Sequence, residues 1–491
     1  MKRIASLFLI LLLTFALTAC GPSEPIKDSD SLTVTDPIID PPISRRPKEM
    51  MGQEYIILQT RNREFPFEYP IASREAEFAR NRIEEVRRLY NSEILLEQIP
   101  EDGIAEELQR RTFTDSRGDI LFCTDNSLLR GVVNADPEKS LLVDLLPLDN
   151  QLNLFDKEKW GGAAALESMM AGGHFYGVTP ALWFGCAPKP VSVLLYDKDL
   201  LHEYDVPDLP EYLEKDQWDR DAMIRAITNV YSDSAEEPVW GITAPLTRMI
   251  RSTLLAVGAD DVRIGKINGD GTAEWEYGPA SDDGEEALTW LRKTLKQYKR
   301  SFNHGADDWE EDNVLNPFLQ KRCGVCLTSC DAVPELAAAR NKNFGLMPWA
   351  GKQSGFYDQD YDNCCSVSIP VCAQNPEWSA LLMWDLFEAP GSMGPTEIRN
   401  RNQLFEYYRT TYFSNDFEAQ LYLPEKPSGH YSYAPEGGIA GWETIRAGIL
   451  SDVPIRSLID RCKADAADVI ETYVLPNRTA LASYRQAGLS D

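Results

Sequence analysis

Glu54-Tyr55-Ile56-Ile57-Leu58-Gln59-Thr60 is a short apolar run that reads as a β-strand, and the next stretches make it the first strand of an α/β unit. Phe78, Ile83, Val86 and Leu89 recur at helical spacing within Glu75 to Tyr90. Ile94 to Ile99 reads as a second strand, Gly103 to Arg111 as a helix, and Asp119-Ile120-Leu121-Phe122 as a third strand. Strands that alternate with helices predict parallel α/β layering. Further on the same elements recur: a strand over Val191 to Tyr196, helices over Arg220 to Tyr231 and Asp283 to Tyr298, a strand over Phe344 to Met347, and a helix over Pro376 to Phe387. The tail from Ile455 to Tyr484 reads as helical, and no internal repeat is evident.

Composition limits what this chain does. Its 491 residues suffice for two or three domains, and a hydrophobic content of 43% supports packed cores. The formal net charge of -28 repels nucleic acid and anionic lipid heads, which excludes nucleic-acid binding. His174, His202, His304 and His430 are the only histidines and form no ligand pair, which disfavours a zinc enzyme. Cys323, Cys326 and Cys330, with Cys364, Cys365 and Cys372, raise a metal reading. The opposing reading is structural: Cys323 to Thr328 has a buried strand's pattern, and a free thiol behaves as a small apolar side chain. No metal and no cofactor is expected. Beyond Cys20 the cysteines number nine, so at least one is unpaired, as in a reducing or anoxic habitat.

The N-terminus is a targeting segment. Lys2 and Arg3 precede an apolar run from Ile4 to Leu17, too short and wrongly flanked for a lasting membrane span. Leu17-Thr18-Ala19-Cys20 resembles a bacterial lipobox. That resemblance implies a signal peptide over 1–19 and lipidation of Cys20, hence a membrane anchor. Residues 20–52 carry Pro22, Pro25, Pro37, Pro41, Pro42 and Pro47, which predicts a semi-extended tether.

Several stretches, in order, resemble the extracellular solute-binding protein family 1 of ABC importers, the sugar-type binding lipoproteins. They are Gly118 to Phe122 with Leu141-Leu142-Val143-Asp144-Leu145-Leu146-Pro147-Leu148, then Gly173-His174-Phe175-Tyr176-Gly177-Val178-Thr179-Pro180, then Leu194-Leu195-Tyr196-Asp197-Lys198-Asp199-Leu200-Leu201. Asn343-Phe344-Gly345-Leu346-Met347-Pro348 is similar to a later family strand. Asn316 to Cys326 departs from the family, with cysteines where small residues and Met stand, and Asp197 replaces the usual Asn. The resemblance spans about Glu54 to Glu388; Ala389 to Asp491 matches only as a helical ending. It implies a periplasmic-binding-protein-like type II α/β fold with two lobes, a ligand cleft and a helical C-terminal part. Lobe 1 would hold 53–188 plus 366–390; lobe 2 and the C-terminal helices would hold 189–365 plus 391–491.

A sugar presents weakly apolar faces, which stack on aromatic rings, and hydroxyls, which need directional polar partners. Ligands in open α/β sheets meet the carboxyl ends of strands. The candidates at such places are Thr60, Arg61 and Asn62; Thr124, Asp125 and Asn126; Ser329 and Asp331; and the indoles of Trp183, Trp240 and Trp349. The family implies capture of a small solute without covalent chemistry, so no catalytic residue is assigned. The partners implied are a carbohydrate, the membrane subunits of an ABC permease and the membrane itself, outside the cell. Two alternatives stand beside this. Arg61 and Arg63 suit the carboxylate of a peptide or another polar solute. A surface-anchored glycoside hydrolase would need paired carboxylates or a Ser/His/acid set, and no G-x-S-x-G elbow occurs near a strand end.

Overall fold

The computed structural model describes residues 49–60, 74–100, 103–123, 129, 131–187, 189–190, 192–233, 238–259, 261–267, 273–303, 311–340, 343–352, 364–389, 398–423 and 440–486. The signal, the lipobox and Cys20 lie outside them. No helix among the described residues is long and apolar enough to cross a membrane.

The opening alternation forms as read. β1 (Gln53–Thr60), α1 (Arg74–Tyr90), β2 (Ser92–Ile99), α2 (Ile104–Thr114) and β3 (Ile120–Cys123) follow one another, and β1 lies parallel between β2 and β3. Asp119 pins this arrangement. Its backbone N–H donates to the Ile56 carbonyl at 2.8 Å, and its carboxylate accepts from the N–H groups of Ile56 at 2.9 Å and Gln374 at 3.2 Å. Burial raises its pKa, against the pull of those two donors. A small hairpin, β4 (Met170–Ala171) and β5 (His174–Phe175), follows.

The chain then crosses to a second sheet. There β6 (Val193–Asp197), β7 (Trp240–Thr243), β10 (Phe302–Asn303), β11 (Cys323–Thr328) and β12 (Phe344–Met347) stand in the order β10-β7-β11-β6-β12. The hairpin of β8 (Val262–Ile267) and β9 (Ala273–Tyr277) lies outside this sheet. β7 runs parallel to β10 and β11, whereas β6 is antiparallel to β11 and β12. The first sheet is completed by β13 (Ser366–Ser368), antiparallel to β3, with Val178 bridging antiparallel to Val367 on its outer side. The two sheets therefore share one plan. Three parallel strands are followed by one antiparallel strand and then by a segment antiparallel to that strand. In each sheet the antiparallel strand comes from chain that has just left the other: β6 after Val178, β13 after β12.

The sequence did not reveal the short strands β7 and β10 or the two hairpins, because runs of two to six residues carry little periodicity. Cys323–Thr328 is a strand, buried at every position rather than on alternate residues, as a central strand covered on both faces must be. All nine described cysteines are free thiols, and no group of three or more His, Cys, Asp or Glu among the described residues is arranged to hold a metal ion.

Three apolar cores fill the body. One lies between the outer face of the second sheet and its helices, including α3 (Arg220–Val230), α4 (Leu246–Leu255) and α5 (Asp282–Gln297). A smaller one lies under α2. The largest is shared by both sheets: Ile57 and Phe122 of the first, Leu195 and Leu346 of the second, and helices α6 (Glu311–Leu319), α7 (Val333–Arg340), α8 (Pro376–Leu386), α9 (Arg401–Tyr412) and α10 (Asp416–Tyr422). The aromatic-rich segment Phe405 to Phe413 thus belongs mostly to α9, where Tyr407 and Tyr408 are buried, Tyr407 tilted against Phe184 and Tyr408 edge-on to Tyr422.

The C-terminal helical reading holds with one refinement. α11 (Ile455–Val469), a π-helical turn over Ile470–Val474, and α12 (Leu475–Gln486) form one rod. Pro476 lacks an N–H and its ring crowds the carbonyl four residues back, so the widened turn sits where a regular helix would clash. α11 packs on α5 beside the second sheet, and α12 packs on the short helix Gly162–Ser168 and β4 beside the first. Asn477, fully buried, fixes α12: its side chain accepts from the Gly173 N–H at 3.1 Å and donates to the Met170 carbonyl at 3.0 Å.

Gly345 of β12 pairs with Tyr196 of β6, and the phenol ring covers it. A Cβ there would stand 2.1 Å from the ring. Gly345→Ala is expected to destabilise the protein by about 1–3 kcal/mol, read as a lower urea midpoint at unchanged slope. An unchanged midpoint would contradict this packing.

Candidate functional site

The topology brings two sheet edges face to face. Chain leaving the first sheet at Val178 enters the second at Val193, beside Thr328, the last residue of β11. Chain leaving the second sheet at Met347 enters the first at Ser366, beside Cys123, the last residue of β3. Both crossovers therefore join the carboxyl ends of the parallel strands, where ligands of open α/β sheets sit.

On the first sheet that edge is a row of small polar residues. The β1–β3 register places Thr60 beside Cys123, Cys123 pairs with Ser366, and the Val178–Val367 bridge places Thr179 next to Ser366. Residues opposite one another in a sheet share a face, so these four project together. All are fully buried, and the hydroxyls of Thr179 and Ser366 have no hydrogen-bond partner. Ser368, one pleat further in, is also buried with an unpartnered hydroxyl, and a Cβ on Gly177 would stand 2.8 Å from it. On the opposite face near the same edge, Gln59 is fully buried with neither amide atom partnered.

The facing edge of the second sheet repeats the pattern. Thr328 is fully buried with an unpartnered hydroxyl. Trp349, two residues past β12, is 5% exposed, and its indole N–H is buried without a partner. The loop around it is held by Trp218, which donates to the Pro348 carbonyl at 2.9 Å, and by the Arg220 N–H, which donates to the Gly351 carbonyl at 3.0 Å. Buried polar groups are ordinarily paired, so such a set at two facing edges is a ready array of donors and acceptors.

Among the residues singled out from sequence, Thr60, Ser329 and Trp349 stand at these edges, all buried. Asp331 lies in the turn just after β11. Arg61, Asn62, Thr124, Asp125 and Asn126 continue directly from β1 and β3 but lie outside the described residues. Trp183 is in the first crossover, with its ring against Phe78 and Phe387 and its N–H donating to the Glu388 carbonyl at 3.0 Å. Trp240 is half-buried at the amino end of β7, paired with Cys323, at the end of the sheet away from Thr328. Gln59, Thr179, Thr328, Ser366 and Ser368 escaped sequence reading. Ser366-Val367-Ser368 carried a usable signal: polar residues at alternate positions of an apolar run put hydroxyls on one face.

A hydroxyl buried without a partner carries a desolvation cost. Thr179→Val is therefore expected to stabilise the solute-free protein by about 1 kcal/mol, measured by urea unfolding. A loss of stability instead would mean that the hydroxyl has a partner in the solute-free protein.

No protein-family model matches the sequence, and no curated protein matches it. Solved structures do. An ABC substrate-binding protein from Listeria monocytogenes in complex with cycloalternan is 13% identical, with a TM-score of 0.54 over 86% of this chain and 98% of that one. The GacH receptor of Streptomyces glaucescens is also 13% identical, with a TM-score of 0.57 over 86% of this chain and all of that one. The sugar-binding protein MalE from Xanthomonas citri is 16% identical, with a TM-score of 0.55 over 84% and 98%. With two sheets of one strand order, exchanged antiparallel strands and these likenesses, the chain has the periplasmic-binding-protein-like type II fold of ABC solute-binding proteins.

Proposed function

We propose that this protein is the lipid-anchored, extracellular solute-binding component of an ABC importer, and that it captures a sugar or oligosaccharide between its lobes without chemical change. The observation that carries the reading is the pair of facing strand-end edges, each with buried hydroxyl, amide or indole groups that lack protein partners. A polyhydroxylated neutral solute offers donors and acceptors in the number such edges require. Structures of the same fold point the same way by what they hold: cycloalternan, maltotetraose and mannotriose. Thr60, Ser329, Asp331 and Trp349 are the contacts proposed among the described residues, together with Arg61, Asn62, Thr124, Asp125 and Asn126. Trp183 would act from the first crossover; Trp240, at the amino end of β7 away from these edges, is not among the proposed contacts. Contacts divided between two lobes favour the closed arrangement, which is what a permease would read.

Calorimetric titration with malto-, manno- and cyclic oligosaccharides, beside a peptide pool, tests this reading. One sugar class is expected to bind with a Kd on the order of 1 μM and to raise the thermal midpoint. Silence across the sugars with heat from the peptides would replace the solute class. Trp349→Ala is expected to weaken the responding sugar by about tenfold or more, since a stacked indole contributes about 1.5 kcal/mol or more.

The anchor is tested separately. Cells fed a radiolabelled fatty acid are expected to label the wild-type protein and not Cys20→Ala, and label retained by that variant would remove the lipobox reading.

A further inference from the structure

The two crossovers carry a pair of thiols that none of the foregoing uses. Cys186 lies in the first crossover and Cys365 at the end of the second, immediately before β13; they are 1% and 7% exposed. The Cys365 sulfur stands 3.6 Å from the carbonyl oxygen of Gly185, the residue preceding Cys186. After burial, Cys365 is the neighbour that most raises the Cys186 thiol. The sulfurs of Cys323, Cys372 and Cys462 meet the carbonyls of Val325, of Gly118, and of Gly441 and Leu458. A buried thiol set against the residue next to another, from a segment 179 positions away in sequence, falls where the chain passes between the two sheets.

We propose that Cys186 and Cys365 form a reversible disulfide that ties the two crossovers together. Cys365 is the more accessible thiol and reacts first. Its sulfur attacks an external disulfide, forms a mixed disulfide and releases one external thiol. The Cys186 sulfur then attacks the Cys365 sulfur and displaces the second external thiol. Two protein thiols are oxidised, one external disulfide is reduced to two thiols, and the two S–H protons leave with those products. Burial and the neighbouring Cys365 push the Cys186 thiol up, while Lys189 opposes them. Cys186 is therefore protonated at rest and suited to the second, resolving step rather than to unprompted attack. The bond would fix the spacing of the two segments that have to twist when the lobes move.

The test needs no solute, so its outcome is independent of the sugar reading. The full chain, in detergent, is exposed under native conditions to hydroxyethyl disulfide, alkylated, digested and analysed by mass spectrometry with fragmentation that separates Cys364 from Cys365. The expected result is two fewer titratable thiols per chain and a Cys186–Cys365 cross-link. The link should persist in Cys364→Ala, vanish in Cys186→Ala and in Cys365→Ala, and reverse with dithiothreitol. A bridge closing so long a loop should also raise the thermal midpoint by about 5 °C. An unchanged thiol count in the folded wild-type protein, or a bridge assigned to Cys364 or to any other cysteine, would overturn the proposal. Both readings come from the wild-type chain, so they stand even if a variant fails to fold.

Discussion

The exchange of antiparallel strands between the sheets is the constraint on which the rest of this molecule depends. β6 completes the second sheet only because the chain has left the first, and β13 completes the first only because the chain has left the second. Neither sheet closes its hydrogen-bonded ladder alone, and buried ladder groups without partners are costly. The lobes therefore fold as a pair, although each has an apolar core of its own. The same exchange fixes the position of the site. Two crossovers attached at strand ends force the carboxyl edges of both sheets to look at each other.

Those edges run against the usual economy of a protein interior. Thr179, Ser366 and Ser368 on one side, and Thr328 and the Trp349 N–H on the other, are buried without partners. Each such group costs on the order of 1–3 kcal/mol, and a sum of that size is large beside the net stability of a folded domain. Single unpartnered groups occur elsewhere too, among them the hydroxyls of Ser92, Thr253 and Ser379, whereas the buried Asp119 carboxylate takes two backbone donors and the Asn477 amide both gives and accepts. Their clustering at two strand-end edges, rather than their occurrence, marks a place held ready for something from outside.

Much of the fold was legible in the sequence, and much of the site was not. α1, β2 and β12 had long or clean periodicity, so their existence and type could be read within a few residues. β10, two residues long, had none, and its place at the sheet edge is decided by pairing with β7. Reading strand ends from a linear pattern picked out Thr60 and Trp349 directly. It missed Thr179 and Ser366 because their adjacency arises from strands nearly two hundred residues apart, which no local pattern encodes. Trp240 illustrates the complementary difficulty. Its strand was not legible in sequence, and which end of the sheet it occupies depends on the direction of β7 relative to β11.

The C-terminal rod has a consequence of its own. One helix seats its first half on one lobe and its second half on the other, with a widened turn beside Pro476 between them. Any relative rotation of the lobes must be absorbed in those few residues or by release of Asn477 from the β4–β5 hairpin. The strut is thus a spring in parallel with whatever the cleft holds. Under the proposed reading, substitutions along α12 would retune closure while leaving untouched the groups proposed to recognise the solute.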